Sequence, residues 1–335
     1  MLLLMFWVVA TAAASEALDR FVASRAFPEN SMALMVVDLL SGKVIDAHNA
    51  DLPLVPASIM KSVTSATLLN KVGKDYRYAT QFFTEGDISQ GVLKGNLVIE
   101  GACDPSLESD NDPGSSDIVD EIIGALRDAG VKRIEGRIVI DENNFAGPAC
   151  PPSWMAADLS NSYGTGSHGF NYADNASGKR SVTDPSARFL SRLRTALSGA
   201  GITVDNDRRD GGRRRKIGEH LSATVDDIMR SCMMRSDNLY AESMLRTYSH
   251  ATGGDGSTAD GATRELDFWR HAKAPLDDVV IVDGSGLSRS NRVTANFMTS
   301  VLTAMSGNPY YASFFPLAGE EGTLKRFLAD TPLQG

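Results

Sequence analysis

The segment Pro56-Ala57-Ser58-Ile59-Met60-Lys61, running into the apolar stretch Ser62 to Val72, constrains this chain more than any other. Ile59, Val63, Ala66 and Leu69 recur at helical spacing, and Gly73 stands where a C-terminal cap would. A core helix is therefore expected, opening at Ser58 just after Pro56, with its first turn alone exposed. Ser58 and Lys61 are three positions apart, about 300° around the helix axis, so they lie close to one face. A hydroxyl and an amine so placed can serve as nucleophile and base, and the unpaired N–H groups of a helix start can hold an oxyanion. The pair by itself also reads as an ordinary helix N-terminus with a solvated lysine.

Elements expected around this helix build a mixed chain. Ser31 to Leu40 and Val44 to His48 flank Ser41-Gly42-Lys43 and read as an antiparallel hairpin, covered on both faces and in part by the Ser58 helix. A short helix is expected over 16–26. Short strands follow at 79–84, 92–93, 96–100 and 136–141, with turns at Glu85-Gly86-Asp87 and Lys94-Gly95. Helices are expected over 118–129 and 186–200, each closed by a glycine, and over 225–234, 239–248 and 295–305, the last capped by Thr294. Asp277 to Val282 reads as a strand leading into the turn Asp283-Gly284-Ser285-Gly286. The long loop 143–179 is rich in Gly, Ser, Asn and Pro and carries Trp154, Tyr163, His168, Phe170 and Tyr172, which suits either a lid or surface packing.

Composition narrows the function classes. With 335 residues, 42% hydrophobic and 22% charged, the chain has enough apolar material for one large domain with an insertion, or for two. A formal net charge of -9 gives no support for nucleic-acid binding. The basic cluster at 208–216 is interleaved with aspartates, lacks aromatics and reads as a solvated loop or hairpin tip. Residues 1–14 form an apolar run ending in Ala12-Ala13-Ala14 and read as a secretory signal peptide, although no Lys or Arg precedes Arg20. Cys103, Cys150 and Cys232 are too few for a disulfide framework, and one pair closing is left open. Neither the cysteines nor the five histidines are spaced as metal ligands, so no metal or other cofactor is expected.

A second motif gives the first its partner. Ser236-Asp237-Asn238 falls in a short break between two expected helices, where a hydroxyl and a carboxamide would project into a cleft. The same tripeptide at 109–111 lies in the acidic stretch 108–112 and reads as a solvated turn. Ser58-Ile59-Met60-Lys61 followed by Ser236-Asp237-Asn238 resembles two of the three motifs of the penicillin-binding proteins and class A β-lactamases. The wide spacing of the two is similar to the class C low-molecular-mass penicillin-binding proteins, the D-alanyl-D-alanine carboxypeptidase/endopeptidases. Gly91 to Leu107, Gly136 to Asp141, Ser236 to Glu242 and Asp283 to Ser288 share the likeness, which covers most of residues 30–330.

The resemblance implies an α/β (α+β) fold: a β-lactamase-like transpeptidase domain with an antiparallel sheet flanked by helices, over 15–75 and 216–335, interrupted by an inserted α+β domain at 76–215. It implies Ser58 as the nucleophile on peptidoglycan stem peptides ending in two D-alanines, Lys61 as base, and Ser236 and Asn238 on the opposite wall. Asp104, Asp283 and Ser285 are weaker substrate-binding candidates, since turn chemistry accounts for them equally well. β-Lactams would trap Ser58 covalently. The implied location is the periplasm or the outer face of the cytoplasmic membrane, with peripheral membrane association allowed.

Two departures from the pattern accompany it. No Lys-Thr-Gly or Lys-Ser-Gly follows Ser236; Lys71-Val72-Gly73 and Lys216-Ile217-Gly218 both precede it. A sequence truncated soon after Gly319 to Leu324 is the expectation, together with a subdomain missing between 175 and 184. A non-catalytic cell-wall-binding relative or fragment is the alternative. A β-lactamase would need a Glu-bearing deacylation loop in the class A arrangement, and none is evident.

Overall fold

The structure, a computed structural model, describes residues 16, 18–24, 28–111, 117–207, 212–332 and 334. The expected signal peptide therefore lies outside the described residues, as do residues 17, 25 and 26 of the expected first helix. Residues 18–23 are helical.

The helix that follows Ser58 is the centre of one hydrophobic cluster. It runs from Met60 to Val72, and every residue from Met60 to Leu69 is buried. Its neighbours are the helices Val225–Arg235, Asn238–Ala251, Thr258–His271 and Ala295–Met305. A helix enclosed on all sides must also settle its polar side chains. Ser62 donates to the Ile59 carbonyl, Thr67 to the Val63 carbonyl and Thr64 to the Gly284 carbonyl. Gly73 caps it at φ 78°. Ile59, by contrast, is 55% exposed rather than in the core.

The N-terminal hairpin pairs Leu34–Val37 with Val44–His48 antiparallel. It is not covered on both faces: Val36, Val44, Leu39 and Leu40 are exposed, and the helix lying against its first strand is Ala295–Met305, not the Ser58 helix. Nor is Asp277 to Val282 a strand. Val280 makes a single antiparallel bridge with Arg292, and the chain turns back at Asp283. The helix Thr258–His271, capped by Ser257, was not expected from the sequence.

A second cluster draws on residues from Phe82 to Ile217 and has its own sheet. The strand Arg214–Thr224 pairs antiparallel with Arg77–Ser89, which pairs antiparallel with Val92–Glu100. Val92–Glu100 then takes Arg133–Ile134 and Ile138–Asp141 as parallel neighbours, and Thr203–Val204 lies beside Arg133–Ile134. The helices Ile118–Asp128 and Pro185–Gly199, capped by Asp117 and Asp184, supply its apolar cover. The register places Arg77 opposite Thr224, so both ends of this region leave from the same place. Position 216 falls inside a strand.

Glycine has a different part in this sheet from the expected turns. Gly86 and Gly95 are not turns but directly opposed partners inside one long hairpin, whose turn is at Gln90-Gly91. A Cβ on Gly95 would stand 1.9 Å from the Glu85 carbonyl oxygen, so the glycines mark close backbone approach. The basic cluster also differs from a simple loop. Residues 208–211 lie outside the described residues, but Arg214 opens a strand and its guanidinium pairs with Glu85, Glu100 and Asp141.

Candidate active site

Ser58 sits in a one-turn 3-10 helix, Ala57–Ile59, immediately before the α-helix, two residues earlier than the helix proper. Ala57 is held in the left-handed region at φ 47°, a conformation that costs a non-glycine residue about 1–3 kcal/mol and persists only where the surroundings enforce it. Here Gly286 is packed against it: a Cβ on Gly286 would stand 1.8 Å from the Ala57 carbonyl oxygen. The result is an exposed Ser58 side chain on a backbone fixed from behind.

Lys61 is 1% exposed, and its amine has three neighbours. Nζ lies 3.1 Å from Ser58 Oγ, 2.7 Å from Asn238 Oδ1 and 2.8 Å from the Ser285 carbonyl oxygen. Burial holds the Lys61 amine below the ordinary lysine range, against the opposing pull of Cys232, Glu242, Asp237 and Asp283. A neutral amine has two N–H bonds and one lone pair. Asn238 Oδ1 and the Ser285 carbonyl can only accept, so in the neutral form, which burial favours, they take both N–H bonds and leave the lone pair to Ser58. Asn238 is itself oriented, because its Nδ2 donates to the Tyr163 carbonyl at 2.8 Å.

Ser236 caps the helix Val225–Arg235 in the left-handed conformation, φ 58° and ψ 44°, and Asp237 caps the next helix by accepting from Tyr240 N. The break expected between two helices is thus present, and it carries Asn238 to Lys61. The second copy of the tripeptide is not a solvated turn. Ser109 is buried, donates to Asp174 and accepts from the Tyr240 hydroxyl at 3.0 Å, while Arg235 donates to Asn111. The left-handed run Ala173-Asp174-Asn175 presents Asp174 there, a geometry without a periodic sequence signal.

The weaker candidates separate. Ser285 joins the site through its backbone carbonyl. Asp283, fully buried, organises the same loop: it accepts from Gly286 N, Ser288 N, Asn291 Nδ2 and Trp154 Nε1. Asp104 Oδ1 accepts from Ser106 N and Ser106 Oγ, bonds internal to its own turn. The long loop 143–179 splits in function: Trp154, Phe170 and Tyr172 are buried, while Tyr163 is 51% exposed beside Asn238. Glu242, one turn after Asn238 on the same helix, is not among the site residues expected from the sequence. A charged residue on a helix otherwise buried around this position was the available signal. Cys103, Cys150 and Cys232 are free thiols. Among the described residues no cluster of His, Cys, Asp or Glu is placed to hold a metal, and no helix is long and apolar enough to cross a membrane.

A family model described as D-Ala-D-Ala carboxypeptidase 3 (S13) matches residues 14–177 and 171–335. The chain is 27% identical over 324 residues to a carboxypeptidase of Mycobacterium tuberculosis, covering 91% of this chain and 68% of that one. It is 22% identical over 406 residues to the D-alanyl-D-alanine carboxypeptidase of Actinomadura sp. (strain R39), covering 96% and 74%. The solved structure of penicillin binding protein 4 from Haemophilus influenzae superposes with a TM-score of 0.79 at 20% identity, covering 92% of this chain and 83% of that one. The same protein complexed with a β-lactam gives 0.70.

Proposed function

Because the chain belongs to the D-Ala-D-Ala carboxypeptidase 3 (S13) family, we propose that it is a serine-type D-Ala-D-Ala carboxypeptidase/endopeptidase acting on peptidoglycan stem peptides through an acyl-enzyme on Ser58. The observation that carries this reading is the Lys61 amine, buried and shared among Ser58 Oγ, Asn238 Oδ1 and the Ser285 carbonyl.

In the proposed reaction the Lys61 lone pair takes the Ser58 hydroxyl proton as Oγ attacks the carbonyl carbon between two D-alanines. Unpaired N–H groups at the helix start stabilise the developing oxyanion. Ser236 passes the proton to the leaving D-alanine amine, and the C–N bond breaks. Water then attacks the ester, releasing the shortened peptide and regenerating Ser58. When the amide lies in a cross-link, the same steps make an endopeptidase. A β-lactam would enter the first half of this cycle and stay on Ser58.

Residues 76–215 are read as an inserted unit, supported by their separate apolar cluster. Export to the periplasm, or to the outer face of the membrane with peripheral attachment, follows from the substrate class and the apolar N-terminus. Incubation with a fluorescent penicillin tests the central claim. A covalent adduct on the wild-type chain, mapped to Ser58 and missing in Ser58→Ala, is expected. No adduct on the wild-type chain, or an equal one on Ser58→Ala, overturns the acyl-enzyme reading and leaves a non-catalytic cell-wall-binding relative.

A further inference from the structure

The loop that supplies the third partner of Lys61 is held by a residue outside the group formed by Ser58, Lys61 and Asn238. Glu242 is fully buried on the helix Asn238–Ala251, one turn beyond Asn238. Its Oε1 accepts from two successive backbone N–H groups, Gly284 at 3.0 Å and Ser285 at 2.8 Å. The carbonyls of these two residues point the other way, to the helix Met60–Val72: Gly284 O accepts from Thr64 Oγ1 at 3.0 Å, and Ser285 O from Lys61 Nζ at 2.8 Å. Two peptide units are thus clamped between Glu242 and the Lys61 helix. Gly284 permits the fit, since a Cβ there would stand 2.8 Å from the Ala241 carbonyl oxygen.

We propose that Glu242 is a positioning residue for acylation: by holding the N–H groups of Gly284 and Ser285, it aims the Ser285 carbonyl at the Lys61 amine and so fixes where the lone pair of that amine points. The inference rests on the reading of Ser58 as nucleophile and Lys61 as base. With the Ser285 carbonyl displaced, one N–H of Lys61 loses its acceptor and turns to the Ser58 oxygen. The lone pair then no longer meets the hydroxyl proton, and the base is present but misdirected.

The charge state of Glu242 belongs to the same device. Burial first, and the neighbouring Asp283 second, push its carboxyl up to about 8, so near neutral pH it is an uncharged acid. Its Oε2 has no hydrogen-bond partner among the described residues. The ionisable groups facing this pair are Cys232 and Asp237 from the preceding helix and its junction, Asp283 from the loop, and Cys150 from the long loop. When Glu242 ionises, Lys61 gains a nearby counter-charge that favours its protonated form. The two titrations are therefore coupled, and the pH profile of acylation should change when Glu242 cannot ionise.

The test is the second-order rate of acylation by a fluorescent penicillin, followed from pH 6 to 10 on the full chain, with circular dichroism of each variant. Glu242→Gln keeps an oxygen for both N–H groups and cannot ionise. It is expected to acylate within about threefold of wild type at pH 7 and to show an altered pH profile. Glu242→Ala removes the tether and is expected to acylate about 10²-fold more slowly at every pH. A folded Glu242→Ala variant that acylates within threefold of wild type overturns the proposal. So does a Glu242→Gln variant whose pH profile matches that of wild type, and this arm decides if the alanine variant does not fold. Absence of any Ser58 adduct on the wild-type chain overturns the parent reading instead, and the proposal with it.

Discussion

Lys61 Nζ lies 2.7 Å from Asn238 Oδ1, a contact made across 177 residues of sequence. Asn238 offers that oxygen because its amide nitrogen is already committed to the Tyr163 carbonyl. Replacing it with alanine removes both bonds and leaves a buried N–H of Lys61 without an acceptor. Asn238→Ala is expected to acylate about 10- to 10²-fold more slowly. The labelled-penicillin rate measures it, and a rate within a factor of two of wild type would remove Asn238 from the site.

Lys61→Met separates catalysis from stability. The amine is buried beside groups that only partly compensate it, and an apolar side chain of similar length avoids the cost of desolvating an amine. Acylation is expected to fall by about 10²–10⁴ while the thermal midpoint stays level or rises. A variant that loses both rate and stability would instead make Lys61 a structural residue.

Gly286→Ala tests the backing of Ser58. The new Cβ would sit 1.8 Å from the Ala57 carbonyl oxygen on a residue at φ 78°, so the 3-10 turn carrying Ser58 has to move. A destabilisation of about 1–3 kcal/mol is expected, together with at least a roughly tenfold loss of acylation. Gly307→Ala, with nothing within 4 Å of its added Cβ, is the control and should change neither.

Glu265 sets a pH dependence of stability. It is fully buried, and the Thr64 and Thr67 hydroxyls near it donate elsewhere, to Gly284 O and Val63 O. Burial pushes its carboxyl up to about 8 from an ordinary 4.5, so the folded chain holds this proton more tightly than the unfolded one. Stability from this group is therefore present below pH 4.5 and is lost as pH rises towards 8, at up to about 1.4 kcal/mol per pH unit. Glu242 acts with the same sign over the same window. Denaturant unfolding at several pH values should show that Glu265→Gln flattens the slope. An unchanged slope would mean that Glu265 titrates normally.

Much of this site is legible as sequence because its parts are local. Ser58 and Lys61 share a helical turn, and Asn238 sits at a helix start marked by Asp237. What is not legible is what comes from packing between distant segments. The carbonyl of Ser285 counts for more than its hydroxyl, and no residue identity encodes a carbonyl. Glu242 gains its role from two backbone N–H groups over 40 positions away. Ser109 looks identical to Ser236 in its tripeptide and differs only in what surrounds it. In the sheet, Gly86 and Gly95 carry the residue type of a turn, yet mark two backbones in contact within a ladder.

The pairing of Arg77 with Thr224 has a consequence for the order in which the site can assemble. Lys61 and Asn238 are 177 residues apart, and closing so long a flexible loop carries an entropic cost that grows with its length. Once residues 77–224 have formed their own sheet, the two ends of that region are already side by side. Only the short stretches 62–76 and 225–237 then separate Lys61 from Asn238, which lowers the closure cost by about 1.5 kcal/mol on the same logarithmic scaling. The region between the two motifs works as a clasp: its folding draws together the segments on which Ser58, Lys61 and Asn238 are carried.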